Sequence, residues 1–351
     1  MDSKTLFNGM RGVSMKICIV VLFCLSLTGC AQFIADKITA PKDNQFSGNI
    51  DALISKTEFC DDFGYCIKGQ ELKEVSSRSS SYQFKLNEQV WHFKSTKEDT
   101  PISHDPSSLI LVFPGFNQPT EIVALHQQWI KHITGAEVIV FQSADMSVPF
   151  KFGLDFVSPV LSLIEQKQPS QVHLIGFSMG ALAAQAVSAQ TSSINTIETR
   201  LHLIAPMTDF HDSTLALWDI IHKDKLYSTF ISDETVEEAV QLIYTNSNLT
   251  DDDTDLVTKT KHSRIPTFVY ASTNDRVTSA KDWNQVDSSH IKLHNYDKLN
   301  HIETVALTHT ELLKDFVSNL INKEILPTNT KVLGTICDIN DRQCMTGLQA
   351  Q

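Results

Sequence analysis

Glycine and proline are scarce in this chain, 13 and 11 in 351 residues, which excludes collagen-like, low-complexity and Pro-rich linker architectures. Basic residues are also in deficit, with 29 Lys and Arg against 41 Asp and Glu, a net charge of −12. No Lys/Arg cluster offsets that deficit, so nucleic-acid partners lack electrostatic support. The longest apolar run, Ile17–Leu27, holds eleven residues, too few to cross a bilayer as a helix. There is no G-x-G-x-x-G, Walker loop or H-E-x-x-H, so neither cofactor nor metal is expected. No internal period of 20–50 residues appears. What remains is ordinary globular composition, 42% apolar and 20% charged.

The short apolar run follows Met15-Lys16 and ends in Leu27-Thr28-Gly29-Cys30, the layout of an export signal. The residues before Met15 read as an upstream start or an extension of the charged region. The ending resembles the bacterial lipobox, which implies acylation of Cys30 as the first mature residue; a plain signal with an incidental Cys30 is the alternative. Loss of 1–29 would leave 26 basic against 40 acidic side chains, so attachment would rest on lipid chains rather than on anionic headgroups. Ala31 rather than Asp follows the cysteine, which by the same resemblance favours the outer membrane of a bacterial envelope. Four further cysteines, Cys60, Cys66, Cys337 and Cys344, suggest two disulfides in an exported chain, with the sequence-local pairs Cys60–Cys66 and Cys337–Cys344 favoured over crossed pairing. Neither spacing is the C-x₂-C of a zinc site.

Beyond the signal, residues 31–50 read as a polar tether. The Ser-rich stretch 76–81 reads as a loop, and Tyr82–Leu86 with Gln89–Phe93 as a hairpin turning at Asn87-Glu88. Short apolar runs then alternate with helical stretches: Leu109–Phe113, Glu137–Phe141, Val172–Ile175, Leu201–Ile204, Thr267–Tyr270 and Ile291–His294. Such alternation predicts an α/β fold, a mostly parallel central sheet flanked by helices. About sixty residues between Ile204 and Thr267, including a helical pattern at Thr235–Ile243, predict an insertion above the strand ends, where open sheets bind ligands.

At the end of the third run stands Gly176-Phe177-Ser178-Met179-Gly180, followed by an Ala-rich helix. A G-x-S-x-G between a buried strand and a helix is a nucleophile elbow, which presents the serine at a helix N-terminus. Here the chain resembles the α/β-hydrolase family over roughly 82–325. The resemblance implies a triad in the order Ser, acid, His. Asp275 follows the Thr267–Tyr270 strand and His301 follows Ile291–His294, 26 residues later. His301 would accept the Ser178 proton and Asp275 would orient the imidazole. The run Asp251–Asp253 with Asp255 reads as a solvated face, and His290 and His294 as packed or surface histidines. The oxyanion hole would draw on the backbone N–H of Met179 and of Phe116, in the loop Pro114-Gly115-Phe116-Asn117-Gln118-Pro119, with Asn117 the neighbouring alternative. Pro114 stands where many relatives have His, and no HGGG is present. Phe116, Phe150, Phe152, Phe156, Phe210 and Trp218 suit either an acyl pocket or core packing.

The expected organisation is a lipoprotein signal (1–29), a tether and N-terminal segment (30–81), a hydrolase domain (82–325, lid insertion about 206–264) and a tail with a Cys pair (326–351). The expected function is a lipid-anchored serine hydrolase acting on small acyl esters, monoacylglycerols or lysophospholipids, as a monomer. A thioesterase or acyltransferase using the same triad, a peptidase, and an inactive hydrolase-fold binding lipoprotein are the alternatives.

Overall fold

A computed structural model describes residues 29–40, 46–47, 53–73, 79–86, 89–96, 105–191, 197–222, 231–278, 280–307, 309–323 and 335–338. Residues 1–28 of the export signal, the Asn87-Glu88 turn and Cys344 lie outside these residues.

Eight strands form the main sheet: β1 (Ile54–Cys60), β2 (Cys66–Leu72), β3 (Ser108–Phe113), β4 (Glu137–Phe141), β5 (Gln171–Phe177), β6 (Glu198–Ile204), β7 (Thr267–Ala271) and β8 (Ile291–Asn295). Their spatial order is β1-β2-β4-β3-β5-β6-β7-β8, and only β2 runs against the rest. Each apolar run of the sequence becomes one of these parallel strands. The runs are continuously apolar because both faces are covered. In β3, Leu109, Leu111 and Phe113 face one core, while Ile110 and Val112 face the other. The helices are α1 (residues 29–39), α2 (Thr120–Thr134), α3 (Val157–Lys167), α4 (Gly180–Thr191), α5 (Phe210–His222), α6 (Asp233–Ser247), α7 (Asp251–Thr254), α8 (Leu256–His262), α9 (His301–Val305) and α10 (Thr310–Ile321). The second core packs Trp129 and Ile133 of α2 and Phe316 of α10 beneath the sheet. The sixty-residue insertion is α5 to α8. This is the helix-flanked, mostly parallel architecture of an α/β-hydrolase.

Three expectations change. Residues 31–39 are a docked helix rather than a tether: Ala31, Ile34 and Ala35 are buried in the same core as β3. Their i, i+3, i+4 spacing places them on one face of α1, and Ile38 continues the stripe. The main sheet begins at Ile54, not at residue 82, because β2 pairs with β4 from far along the chain. The hairpin at 82–93 does form, as strands Ser79–Leu86 and Gln89–Thr96, but in a separate sheet with Phe46–Ser47 and Thr335–Asp338. Ser79, Ser80 and Ser81, expected in a loop, extend its first strand. Cys60 and Cys66 form a disulfide across the β1–β2 turn. Of the second pair, Cys337 lies on a described strand of the smaller sheet while Cys344 falls outside.

Candidate active site

The carboxyl edge of β5 delivers Ser178. The chain ends the strand at Phe177, turns at Ser178 and enters α4 at Gly180. Ser178 takes φ 48°, a left-handed backbone that costs a non-glycine residue about 1–2 kcal/mol. Three bonds hold it there: its N–H donates to the Ile204 carbonyl at 2.9 Å, and its own carbonyl accepts from Ala181 and Met207 at 3.1 and 3.2 Å. The flanking glycines serve close approach. A Cβ on Gly176 would stand 2.4 Å from the Ala181 Cα, and one on Gly180 would stand 2.2 Å from the Phe113 carbonyl oxygen. The helix can therefore start directly against the strand ends, and α4, buried on all sides over its first turns, packs behind the serine.

Asp275 follows β7 in a tight turn and is buried. Its Oδ1 accepts the backbone N–H groups of Val277 and Thr278 at 2.8 and 2.9 Å. Its Oδ2 accepts the Thr278 hydroxyl at 2.7 Å and the His301 Nδ1–H at 2.8 Å. Burial alone would raise this carboxyl, but the His301 bond and charge and the Thr278 bonds outweigh it, and the net shift is downward. An ionised acid is thus held at the imidazole. His301 is the first residue of α9, whose N-cap Asn300 forms a capping box with Glu303. With Nδ1 committed to Asp275, Nε2 is the nitrogen left to accept a proton.

Ser178 shares a cavity of about 120 Å³ with Val277 and Thr278, and the Thr278 hydroxyl lies 3.1 Å from His301 Nδ1. The remaining wall is mostly apolar: Ile38 of α1, Phe116, Met179 and Met207, and from the insertion Phe210, Leu217 and Trp218 of α5. Of the aromatic residues weighed from sequence, Phe116, Phe210 and Trp218 line this space. Phe150, Phe152 and Phe156 are buried in the core, Phe150 edge-on to Phe116 at 6.5 Å. Two larger and more polar cavities, about 560 and 1090 Å³, include none of Ser178, Asp275 and His301, so the smaller one follows the chemistry.

The loop Pro114–Pro119 passes beside the serine, with an added Cβ on Gly115 only 3.1 Å from the Ser178 Cβ. Gln118 Oε1 accepts the Gly115 N–H at 2.7 Å, and Ser143 donates to the Gly115 carbonyl at 2.7 Å. Asn117, at φ 57°, gives its N–H to the buried Asp145 carboxylate at 2.8 Å. That bond commits the Asn117 amide, and Phe116 is the residue of this loop that faces the cavity with Met179. The Ser143 hydroxyl also lies against the Asp145 carboxylate, between it and the Gly115 carbonyl. Thr278, Gln118, Ser143 and Asp145 had no motif to reveal them. Only Thr278, three residues after the acid, carried a local signal.

The residues set aside are structural. Asp253 closes a capping box with Thr250, and Asp255 accepts the Thr258 N–H. His294 stacks on Tyr270 at 5.1 Å and bonds Asp315 and Asn319. His290 bonds Ser288. Among the described residues, Asp209, His211 and Asp212 bring three potential metal-ligand atoms within 4.8 Å, but Asp209 accepts the Asp212 N–H and His211 pairs with Asp212 as the opening of α5.

No protein family's sequence profile matches the chain, and no curated protein sequence matches it. Solved structures that resemble it include an esterase from Pyrococcus furiosus (14% identity, 79% of this chain and 93% of that one, TM-score 0.49). Others are the esterase domain of a Rhodothermus marinus protein (13%, 77% and 96%, 0.43) and a hydrolase from Oleispira antarctica (14%, 63% and 93%, 0.42).

Proposed function

We propose that this chain is a serine hydrolase of carboxylic esters, working through an acyl-enzyme. The observation that carries the reading is the buried, ionised Asp275 bonded to His301 Nδ1, on the same edge as a serine held in a strained elbow over an apolar cavity. Each part has a task. A neutral hydroxyl is a poor nucleophile, so His301 Nε2 takes the Ser178 proton as Oγ attacks the ester carbonyl carbon. The resulting oxyanion faces the Phe116 and Met179 N–H groups and the N-terminus of α4. His301 then passes the proton to the leaving alkoxide, the C–O bond breaks and the alcohol departs. Water, deprotonated by His301, attacks the acyl-Ser178. Collapse returns the proton to Ser178 and releases the carboxylic acid.

The cavity's apolar lining favours an acyl chain, and the α5 residues in its wall give the insertion the place of a lid. With Cys30 exposed and its thiol free, the same reading extends to an envelope lipoprotein anchored through Cys30 in the outer membrane, drawing on monoacylglycerols or lysophospholipids. A fluorophosphonate probe tests the chemistry. The wild type should label, while Ser178→Ala and His301→Ala should not. Labelling of Ser178→Ala at the wild-type level would move the nucleophile elsewhere.

A further inference from the structure

Large exposed apolar side chains are not scattered over this protein. Among the described residues there are seven: Phe33, Phe63, Tyr65, Met146, Val148, Ile220 and Ile302. Phe63 and Tyr65 lie in the β1–β2 turn, which projects past the Phe141 end of β4 because Gly69 of β2 pairs there. Met146 and Val148 follow the same end of β4, and Ile302 is the neighbour of His301. Ile220 is on α5, which leaves the carboxyl end of β6, and Phe33 is on α1, whose Ile38 lines the Ser178 cavity. Five of the seven thus stand on the edge that carries the site, while Phe33 and Ile220 belong to helices that line its cavity through other residues. Single exposed apolar residues are normal, but such a concentration on one edge is not.

Phe63 is held out deliberately. Its side chain is 94% exposed, on a turn closed by the Cys60–Cys66 disulfide. Asp61 accepts the N–H groups of Phe63 and Tyr65 at 2.9 Å each, and the Tyr65 hydroxyl donates to Asp155. A rigid turn that presents a phenyl ring to water has already met the ordering cost of inserting it elsewhere. Val148, 82% exposed, stands on the neighbouring loop. Helix α1 adds direction. At 1.5 Å per residue, Cys30 lies about 12 Å along the axis from Ile38. Because Ala31, Ile34 and Ala35 are buried, this distance is set by a docked helix and not by a swinging tether.

We propose that the carboxyl edge of the sheet is a membrane-docking face, seated on a zwitterionic phospholipid bilayer by Phe63, Val148 and Ile302. In this arrangement α1 ties the anchor at Cys30 to the wall of the catalytic cavity. This rests on the acylation of Cys30 in the reading above. Zwitterionic lipid is the matching surface because the mature balance of 26 basic against 40 acidic side chains and the adjacent Asp61 and Asp62 beside Phe63 repel anionic headgroups. The cavity mouth then opens onto the bilayer, and an acyl chain passes from lipid to Ser178 without crossing water.

The test uses the full chain, matured in a bacterium and reconstituted into phosphatidylcholine vesicles, half of the samples with brominated acyl chains. A tryptophan in Phe63→Trp should lose most of its added emission to bromine. One in Ser289→Trp, exposed before β8 on the opposite edge, should keep it. Phe63→Asp and Val148→Asp should each slow hydrolysis of a long-chain monoacylglycerol held in vesicles about tenfold and leave hydrolysis of a water-soluble butyrate ester unchanged. Acylated protein that floats with vesicles yet shows no quenching at position 63 overturns the docking face. So does quenching at 289 alone. Quenching at 63 without turnover of either ester or fluorophosphonate labelling supports the face and removes the hydrolase reading. A chain whose Cys30 peptide has unmodified mass and that does not float overturns the face together with the anchor.

Discussion

Replacing Thr278 with valine changes one atom group at the junction between acid and base. The side chain is buried and valine has its shape, so no cavity opens and the effect can be traced to the hydroxyl. That hydroxyl sits 2.7 Å from Asp275 Oδ2, 3.1 Å from His301 Nδ1 and 3.1 Å from the Ala205 carbonyl. A hydrogen bond to a charged acceptor is worth about 1.5–3 kcal/mol. The two backbone N–H groups on Oδ1 remain, so the carboxylate stays ionised and in place, and only part of that energy reaches the reaction. The expected loss in kcat/KM is about tenfold, or about 1.4 kcal/mol. Thr278→Ser should restore the rate. Steady-state kinetics on a soluble ester would measure this. A rate within twofold of wild type would refute the reasoning, as would failure of serine to rescue.

Acid should unfold the protein earlier than its carboxylates alone would dictate. Burial pushes His126 and His173 down to about 4 and His202 well below its ordinary value. The folded chain keeps these rings neutral while the unfolded chain protonates them below about 6.5, so stability is complete above that pH and drains as pH falls toward 4. Each histidine contributes about 1.4 kcal/mol per pH unit in that window. Urea midpoints at pH 7, 6 and 5 should fall steadily, and a constant midpoint would contradict the burial argument. At the elbow, Gly180→Ala places a methyl against the Phe113 and Pro114 carbonyl oxygens, backbone atoms that cannot rotate away. It should cost about 2–3 kcal/mol and abolish fluorophosphonate labelling; a variant with wild-type midpoint and labelling would show that the strand–helix approach is looser than the distances imply.

Much of this site was written in contiguous residues. The strand before Gly176, the strained turn at Ser178 and the Ala-rich helix after it form one local unit, so the elbow is legible without a fold. Asp275 and His301 could be picked out because they stand five and seven residues beyond the ends of the runs Thr267–Tyr270 and Ile291–His294. The α1 stripe of Ala31, Ile34, Ala35 and Ile38 was equally local, yet Gln32, Asp36 and Lys37 between them gave the stretch the look of a polar tether, and nothing nearby marked the core it would meet. The β1–β2 hairpin, within the 30–81 segment and not read from the sequence, was hidden for a similar reason: its partner β4 lies some seventy residues on, and pairing across that separation leaves no trace in either strand's own pattern.

Periodicity and turn strain depend on neighbours one to four residues apart, so the main-sheet strands from Leu109 onward, the strained Ser178 turn and the chain order of the candidate triad were legible in the chain's linear text. What joined them was sheet register. The ends of β5, β6 and β7 meet at one edge, which brings the Ala205 carbonyl, the Thr278 hydroxyl and the Asp275–His301 pair into contact and sets Ser143 and Asp145 beneath the loop of Phe116. The same register carries the β1–β2 turn of Phe63 past the Phe141 end of β4, the edge on which Ser178 also stands. No spacing along the chain encodes those meetings, because they exist only once eight strands have found their neighbours.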